Sequence, residues 1–182
     1  TTQGTSDIMA ALQAANINIA IPAAQGGIAE TMLVYGMTAD GNQYTWWYSA
    51  DWAQINYALS AANAIINGSN NPTNPLYLNQ NGINTLQDKL MQTSTTAVQV
   101  GLANGTPTRS TLTGTALAAA LDAGADDGDI LVNAVPFAPY YQQNPGQYKQ
   151  GVYNGFSIQY IPQLDFDQLT INLVLTDFPA GA

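Results

Sequence analysis

The sequence predicts an α+β fold, with two central packed helices set against an antiparallel or mixed β-sheet. Three observations carry this. Apolar residues recur at helical spacing over 52–66 and again over 81–102. Ile17, Ile19 and Ile21 alternate with Asn18 and Ala20 at the period of a strand. The last third is rich in β-branched and aromatic residues cut into short runs by prolines.

Taken in order, Ser6 and Asp7 ahead of Ile8, Met9 and Leu12 predict a capped amphipathic helix or arm over 1–16. A strand follows over Ile17–Ile21 and is expected to stop at Pro22, with Ala23 to Gly27 as a loop of small residues. A second strand is expected over Thr31 to Met37. Asp40-Gly41 then reads as a hairpin turn into a strand carrying Tyr44, Trp46 and Tyr48. Ser49 or Asp51 is expected to cap a helix from Trp52 to Ile66, with Trp52, Ile55, Leu59, Ala62 and Ile66 on its buried face. Asn67-Gly68 closes it and Asn70 to Pro75 forms a polar loop.

The next helix starts near Asn81 with Ile83, Leu86, Leu90 and Met91 along its apolar side. A break is expected at Ser94-Thr95-Thr96 and a stop at Asn104-Gly105. Thr106 to Gly114 is weakly patterned, Thr115 to Asp122 is a short Ala-rich helix, and Gly124 to Asp129 is a polar tract. Strands are expected over Ile130–Val135, Val152–Ile161 and Leu169–Leu175, and a loose tail over 177–182. The whole, 1–182, reads as one α+β domain, or one domain of a larger chain.

Composition removes most catalytic chemistry. The chain has no His, no Cys, three Lys plus Arg and 8% charged residues. It therefore has no imidazole to move protons near neutral pH and no thiol to attack or to bind metal. A net charge of −9, with Lys89, Arg109 and Lys149 scattered, argues against nucleic acid and against anionic membranes as partners. No apolar run approaches the roughly 20 residues of a bilayer span. What remains is a surface of amides, hydroxyls and Tyr, which suits wide, wet contacts with neighbours.

Few motifs compete with that reading. Asp126, Asp127 and Asp129 could offer oxygen ligands to a cation, but the Glu of a calcium loop is missing and a solvated turn is the better account. Asp165 and Asp167 share one face of an extended segment without any sign of a catalytic cleft. No catalytic residue, cofactor or metal is expected. The aromatic group Tyr44, Trp46, Trp47, Tyr48 and Trp52 suggests either a sugar platform or a protein contact, with Trp52 in the core. Tyr140, Tyr141, Tyr148, Tyr153 and Tyr160 suggest a half-exposed sheet or an aromatic contact surface. Asn67-Gly68-Ser69 and Asn104-Gly105-Thr106 match the glycosylation sequon, as chance allows in an Asn-rich chain.

The order of short motifs resembles the C-terminal part of contractile phage tail sheath-like proteins. A strand leads to Gly36-Met37, a turn at Asp40-Gly41 and Asp51-Trp52 at a helix start. Asn81-Gly82-Ile83 heads the next helix, Gly101-Leu102 ends it, and Gly105 follows. The double Trp46-Trp47, the insert over 67–75 and the scarcity of Arg in the last third depart from that pattern. The resemblance implies a non-enzymatic, self-assembling virion subunit, a homo-oligomer around a tail tube, its copies linked by strand exchange. Its localisation would be the virion.

A strand donated to an unpaired sheet edge satisfies the backbone groups exposed there. The candidate contact residues are Ile17, Ile19 and Ile21 in one segment, Leu169, Ile171, Leu173 and Leu175 in another, and Trp46 and Trp47. The alternatives are another virion structural protein, such as a tail-tube or capsid-decorating subunit, or a secreted, extracellular carbohydrate-binding module that uses exposed Trp and Tyr.

Overall fold

Helices and sheets alternate along the chain in a computed structural model that describes residues 2–15, 17–25, 28–34, 37–73, 75–124 and 129–164. They fall into two compact units, Thr1–Gly41 with Leu164–Ala182, and Asn42–Gln163. In the first, helix α1 (Thr2–Ala14) precedes strands β1 (Ile19–Gln25) and β2 (Ile28–Val34). The strands form an antiparallel hairpin, with Ile19 opposite Val34 and Gln25 opposite Ile28. Pro22 does not end β1. It sits within the strand opposite Thr31, a position a proline tolerates in a two-stranded ribbon because one side of each strand needs no donor there. The small residues after it extend the strand, and β2 begins and ends three residues earlier than the sequence predicts. Asn18 closes the unit from the side chain: its Nδ2 donates to the Met37 carbonyl and its Oδ1 accepts from the Met37 amide, both at 2.7 Å.

The second unit holds the α+β core. Helix α2 (Tyr44–Ser69) and helix α3 (Gln80–Gln99) are antiparallel neighbours across a short loop. They are followed by β3 (Ala103–Asn104), β4 (Thr106–Ser110), α4 (Gly114–Ala123), β5 (Asp129–Ala134), α5 (Phe137–Gln143), α6 (Pro145–Lys149), β6 (Phe156–Gln159) and β7 (Ile161–Pro162). The main sheet is mixed. Strands β4 and β5 run parallel, joined through α4, and β6 returns antiparallel to β5. A minor ribbon pairs β3 with β7. Helices α2 and α3 pack together, and α3 lies on β4 and β5.

The core is built from Leu90, Ala97, Ala103, Ile130 and Val132, with Trp52, Tyr57, Met91, Phe156 and Tyr160 packed around it. Along α3 the buried positions are Ile83, Gln87, Leu90, Ser94 and Ala97, the four-and-three spacing of a single helix face. The expected break at Ser94-Thr95-Thr96 does not occur. Each of these hydroxyls donates to the carbonyl four residues back, at 3.0 Å, so the polar run feeds the helix's own acceptors instead of competing with them. Asn79 caps the start by accepting from the Gly82 amide at 2.9 Å. Gly82 has no room for a side chain, since a Cβ there would lie 1.9 Å from the Tyr77 carbonyl oxygen. Gly101, at φ 75°, turns the chain out of the helix where a left-handed residue is required.

The helix around Trp52 begins much earlier than the sequence predicts. Tyr44 to Tyr48 form its first turns, not a strand, so Asp40-Gly41 is not a hairpin turn into them. Neither Ser49 nor Asp51 is its cap. The Ser49 hydroxyl is buried and donates to the Leu102 carbonyl at 2.6 Å, and the Tyr160 hydroxyl donates to the Ser49 carbonyl at 2.9 Å. These tertiary bonds, out of reach of any local pattern, hold the aromatic segment in helical form.

Candidate functional site

The buried face of α2 is the reverse of the one the sequence predicts. Ser49 and Ala53 are buried, and Ser60, Ala61 and Ala64 are half-buried. Small side chains let α2 approach α3 closely, and the contact is fixed by hydrogen bonds. The Tyr57 hydroxyl meets Ser94 Oγ at 2.8 Å; because Ser94 already donates to Leu90, Tyr57 is the donor. The large side chains expected inside turn outward. Ile55 is 64% exposed and Ile66 58%, with Leu59, Ile65, Tyr44 and Tyr48 about half exposed. Trp52 alone of that predicted set joins the core.

The outward residues form a stripe. Tyr44, Tyr48, Ile55, Leu59, Ala62 and Ile66 follow one another at steps of four, seven, four, three and four, which keeps them on one side of a helix. Asp51 is the one charged residue in the 26-residue helix. An exposed apolar surface of this extent is unusual on a face that meets only water. Trp46 and Trp47, expected on opposite sides of a strand, instead share the first turn of α2. They touch edge to face at 4.8 Å, Trp46 half-buried and Trp47 41% exposed.

Two further surfaces stand out in the second unit. A cleft of about 580 Å³ runs between α2 and α3 and is lined by Asn63, Asn67, Asn79, Asn81, Tyr77 and Lys89 among others. Lys89 donates to the Gln92 side chain at 3.2 Å. Arg109 is paired with Asp88. The tyrosines of the last third do not lie on a half-exposed sheet. Half-buried Phe137 and exposed Tyr141 on α5 and exposed Tyr148 on α6 form a trio with ring centres 4.9 to 6.1 Å apart. Tyr140 is buried beneath them, donating to Gln147 at 2.5 Å and accepting from the Asn154 amide at 2.8 Å.

Burial raises the phenols of Tyr57, Tyr153 and Tyr160 above their ordinary value. For Tyr57 and Tyr160 the bonds to Ser94 and Ser49 act weakly the other way, and for Tyr153 the neighbouring Tyr140 adds to the rise.

Of the other candidate contact residues, Ile17 is 48% exposed, and Ile19 and Ile21 lie in β1 opposite Val34 and Met32. Leu169, Ile171, Leu173 and Leu175 lie outside the described residues, as do Asp126, Asp127, Asp165 and Asp167. Asp129 is exposed at the start of β5 and accepts from the Thr108 hydroxyl at 3.2 Å. Among the described residues no group of three acidic side chains could hold a metal ion, and no helix is long and apolar enough to cross a membrane. No protein-family model, curated protein or solved structure matches the chain.

Proposed function

We propose that this chain is a non-enzymatic structural subunit that assembles with copies of itself, as a sheath-like component of a phage tail. The observation that carries the reading is the outward apolar stripe of α2, together with a composition that lacks His and Cys. In water such a face costs free energy in every isolated copy, and association removes that cost. Two of the motifs that resemble sheath proteins lend support by their positions: Gly82-Ile83 heads α3 and Gly101-Leu102 follows its end. Asp51-Trp52 does not, because it lies well inside α2 and not at a helix start. On this reading the partners are further copies and a tail tube, the location is the virion, and β1 and the segment 169–175 are the strands offered for exchange. Mass distribution of the purified chain across concentration, with negative-stain images of the same samples, tests it. Rings, tubes or growing oligomers are expected; a strict monomer at high concentration contradicts it.

A second reading draws on the amide-lined cleft and the cluster of Phe137 with the exposed Tyr141 and Tyr148 rings. Amides that both donate and accept, beside flat rings, suit a neutral oligosaccharide. It predicts a monomer whose aromatic fluorescence changes on addition of oligosaccharide.

A further inference from the structure

We infer that the α2 stripe is the contact between two copies of this chain, paired antiparallel along α2. The inference rests on the assembly reading above and names the surface and the geometry it uses.

Three features select this occupant. The first is area. At 1.5 Å per residue α2 is about 39 Å long, and its stripe runs the full length. With whole aromatic side chains presenting about 150–250 Å², the half-exposed Tyr44, Tyr48, Ile55, Leu59, Ile65 and Ile66 together offer on the order of 600 Å² of apolar surface. Adding the exposed Ala58 and Ala62 and the flanking polar atoms brings one face close to the roughly 800 Å² per partner of a stable interface.

The second feature is charge. A chain of net charge −9 repels its own copies over most of its surface, yet α2 carries a single carboxylate, Asp51. A parallel pair would set two Asp51 side chains against each other. An antiparallel pair crossing near Ile55–Leu59 separates them and also aligns the two helix dipoles favourably.

The third feature is the distribution of residue types. Tyr44 and Tyr48 lie at one end of the stripe, and Ile65 and Ile66 at the other. Antiparallel pairing sets rings against aliphatic chains at both ends and Ile55 near Leu59 in the middle. The steps of four, seven, four, three and four are those of helices that interlock side chains along a common seam.

The absence of native cysteine allows a direct test in the full chain. Single variants Ala58→Cys and Tyr48→Cys, with a separate Ile66→Cys, are oxidised at a concentration where the wild type associates. The antiparallel pair crossing between Ile55 and Leu59 predicts that Ala58→Cys cross-links to itself. Tyr48→Cys should cross-link with Ile66→Cys when the two are mixed, and not with itself. Self-linking of Tyr48→Cys together with failure of the mixed pair overturns the geometry.

Alongside, Ile55→Glu with Leu59→Glu, which sets like charges against each other across the pair, is compared with the wild type by sedimentation. The dissociation constant should rise by at least about tenfold, with the far-UV spectrum and melting of the dilute protein unchanged. Assembly that survives in this variant, and gives no α2 cross-links, removes this interface while leaving the assembly reading intact. A wild type that stays monomeric throughout removes both.

Discussion

Gln87 donates from its side-chain Nε2 to the backbone carbonyl of Val132 at 2.9 Å, and the same nitrogen donates to the Ser110 carbonyl at 2.8 Å. Gln87 is 1% exposed, so one buried amide on α3 ties the end of β4 to the middle of β5. The arrangement stabilises less by the bonds gained than by what their loss would strand. Gln87→Leu keeps much of the volume but leaves two buried carbonyls without that donor, each costing about 1–3 kcal/mol. The expected loss is about 2–4 kcal/mol in urea unfolding. A change below about 0.5 kcal/mol would show that the carbonyls find other partners.

The bond between Tyr57 and Ser94 ties the two helices together at their centre. Tyr57→Phe removes the hydroxyl and leaves the ring in the core, so its cost should be modest, about 1 kcal/mol. Ser94→Ala should cost a similar amount. The double variant should fall short of the sum by roughly 0.5 kcal/mol or more, because the pair shares one interaction. Strict additivity in equilibrium unfolding would argue that the hydroxyls act independently.

The α+β class was legible, as was part of the α3 face, since Ile83 and Leu90 are apolar at helical spacing. Gln87, Ser94 and Ala97 on the same face were not, being polar or small, and α3 ends at Gln99, ahead of the expected stop at Asn104-Gly105. For α2 the period was legible and the phase was not. Ile55, Leu59 and Ile66 make the more hydrophobic side, and a rule that buries the greasiest face chooses them. The fold buries Ser49 and Ala53 and half-buries Ser60 instead, since close packing on α3 and bonds to Leu102 and Tyr160 depend on residues distant in sequence. Tyr44 to Tyr48 read as a strand for the same reason: aromatic alternation is a local signal, overruled by tertiary contacts. The helices α5 and α6 went unread because Pro136, Pro139 and Pro145 look like punctuation. Pro145, at the start of α6, occupies a first-turn position where its missing N–H costs nothing.

Gly82 marks the tightest approach in the second unit. Its Cα faces the Tyr77 carbonyl so closely that even a methyl group would overlap backbone, and backbone cannot swing aside as a flexible side chain can. Gly82→Ala should therefore displace the 77–79 loop and weaken the Asn79 cap. The cost is about 1–3 kcal/mol, despite Ala's better helix propensity. Gly146→Ala is the control, because a Cβ there meets nothing within 4 Å. Thermal unfolding of the two variants should separate them clearly. Equal melting temperatures would mean that the loop relaxes at no cost.

Alkaline unfolding should follow from the buried phenols. Burial holds Tyr57, Tyr153 and Tyr160 above the ordinary 10.0, so each remains protonated in the folded chain when its unfolded counterpart ionises. Below about pH 10 both states hold the proton and this contribution to stability is fully present. Above it the unfolded state binds fewer protons than the folded one, and stability falls as pH rises towards the folded values. The urea midpoint should be level between about pH 8 and pH 9.5 as far as these groups are concerned, then decline steadily to about pH 12. Tyr153→Phe should make that decline shallower, at the expense of its 2.5 Å bond to the Val135 carbonyl and hence a lower midpoint at neutral pH. Tyrosinate absorbance from Tyr57, Tyr153 and Tyr160 should appear only as the chain unfolds. A single rise near pH 10 with no loss of structure would show that the three phenols are open to water.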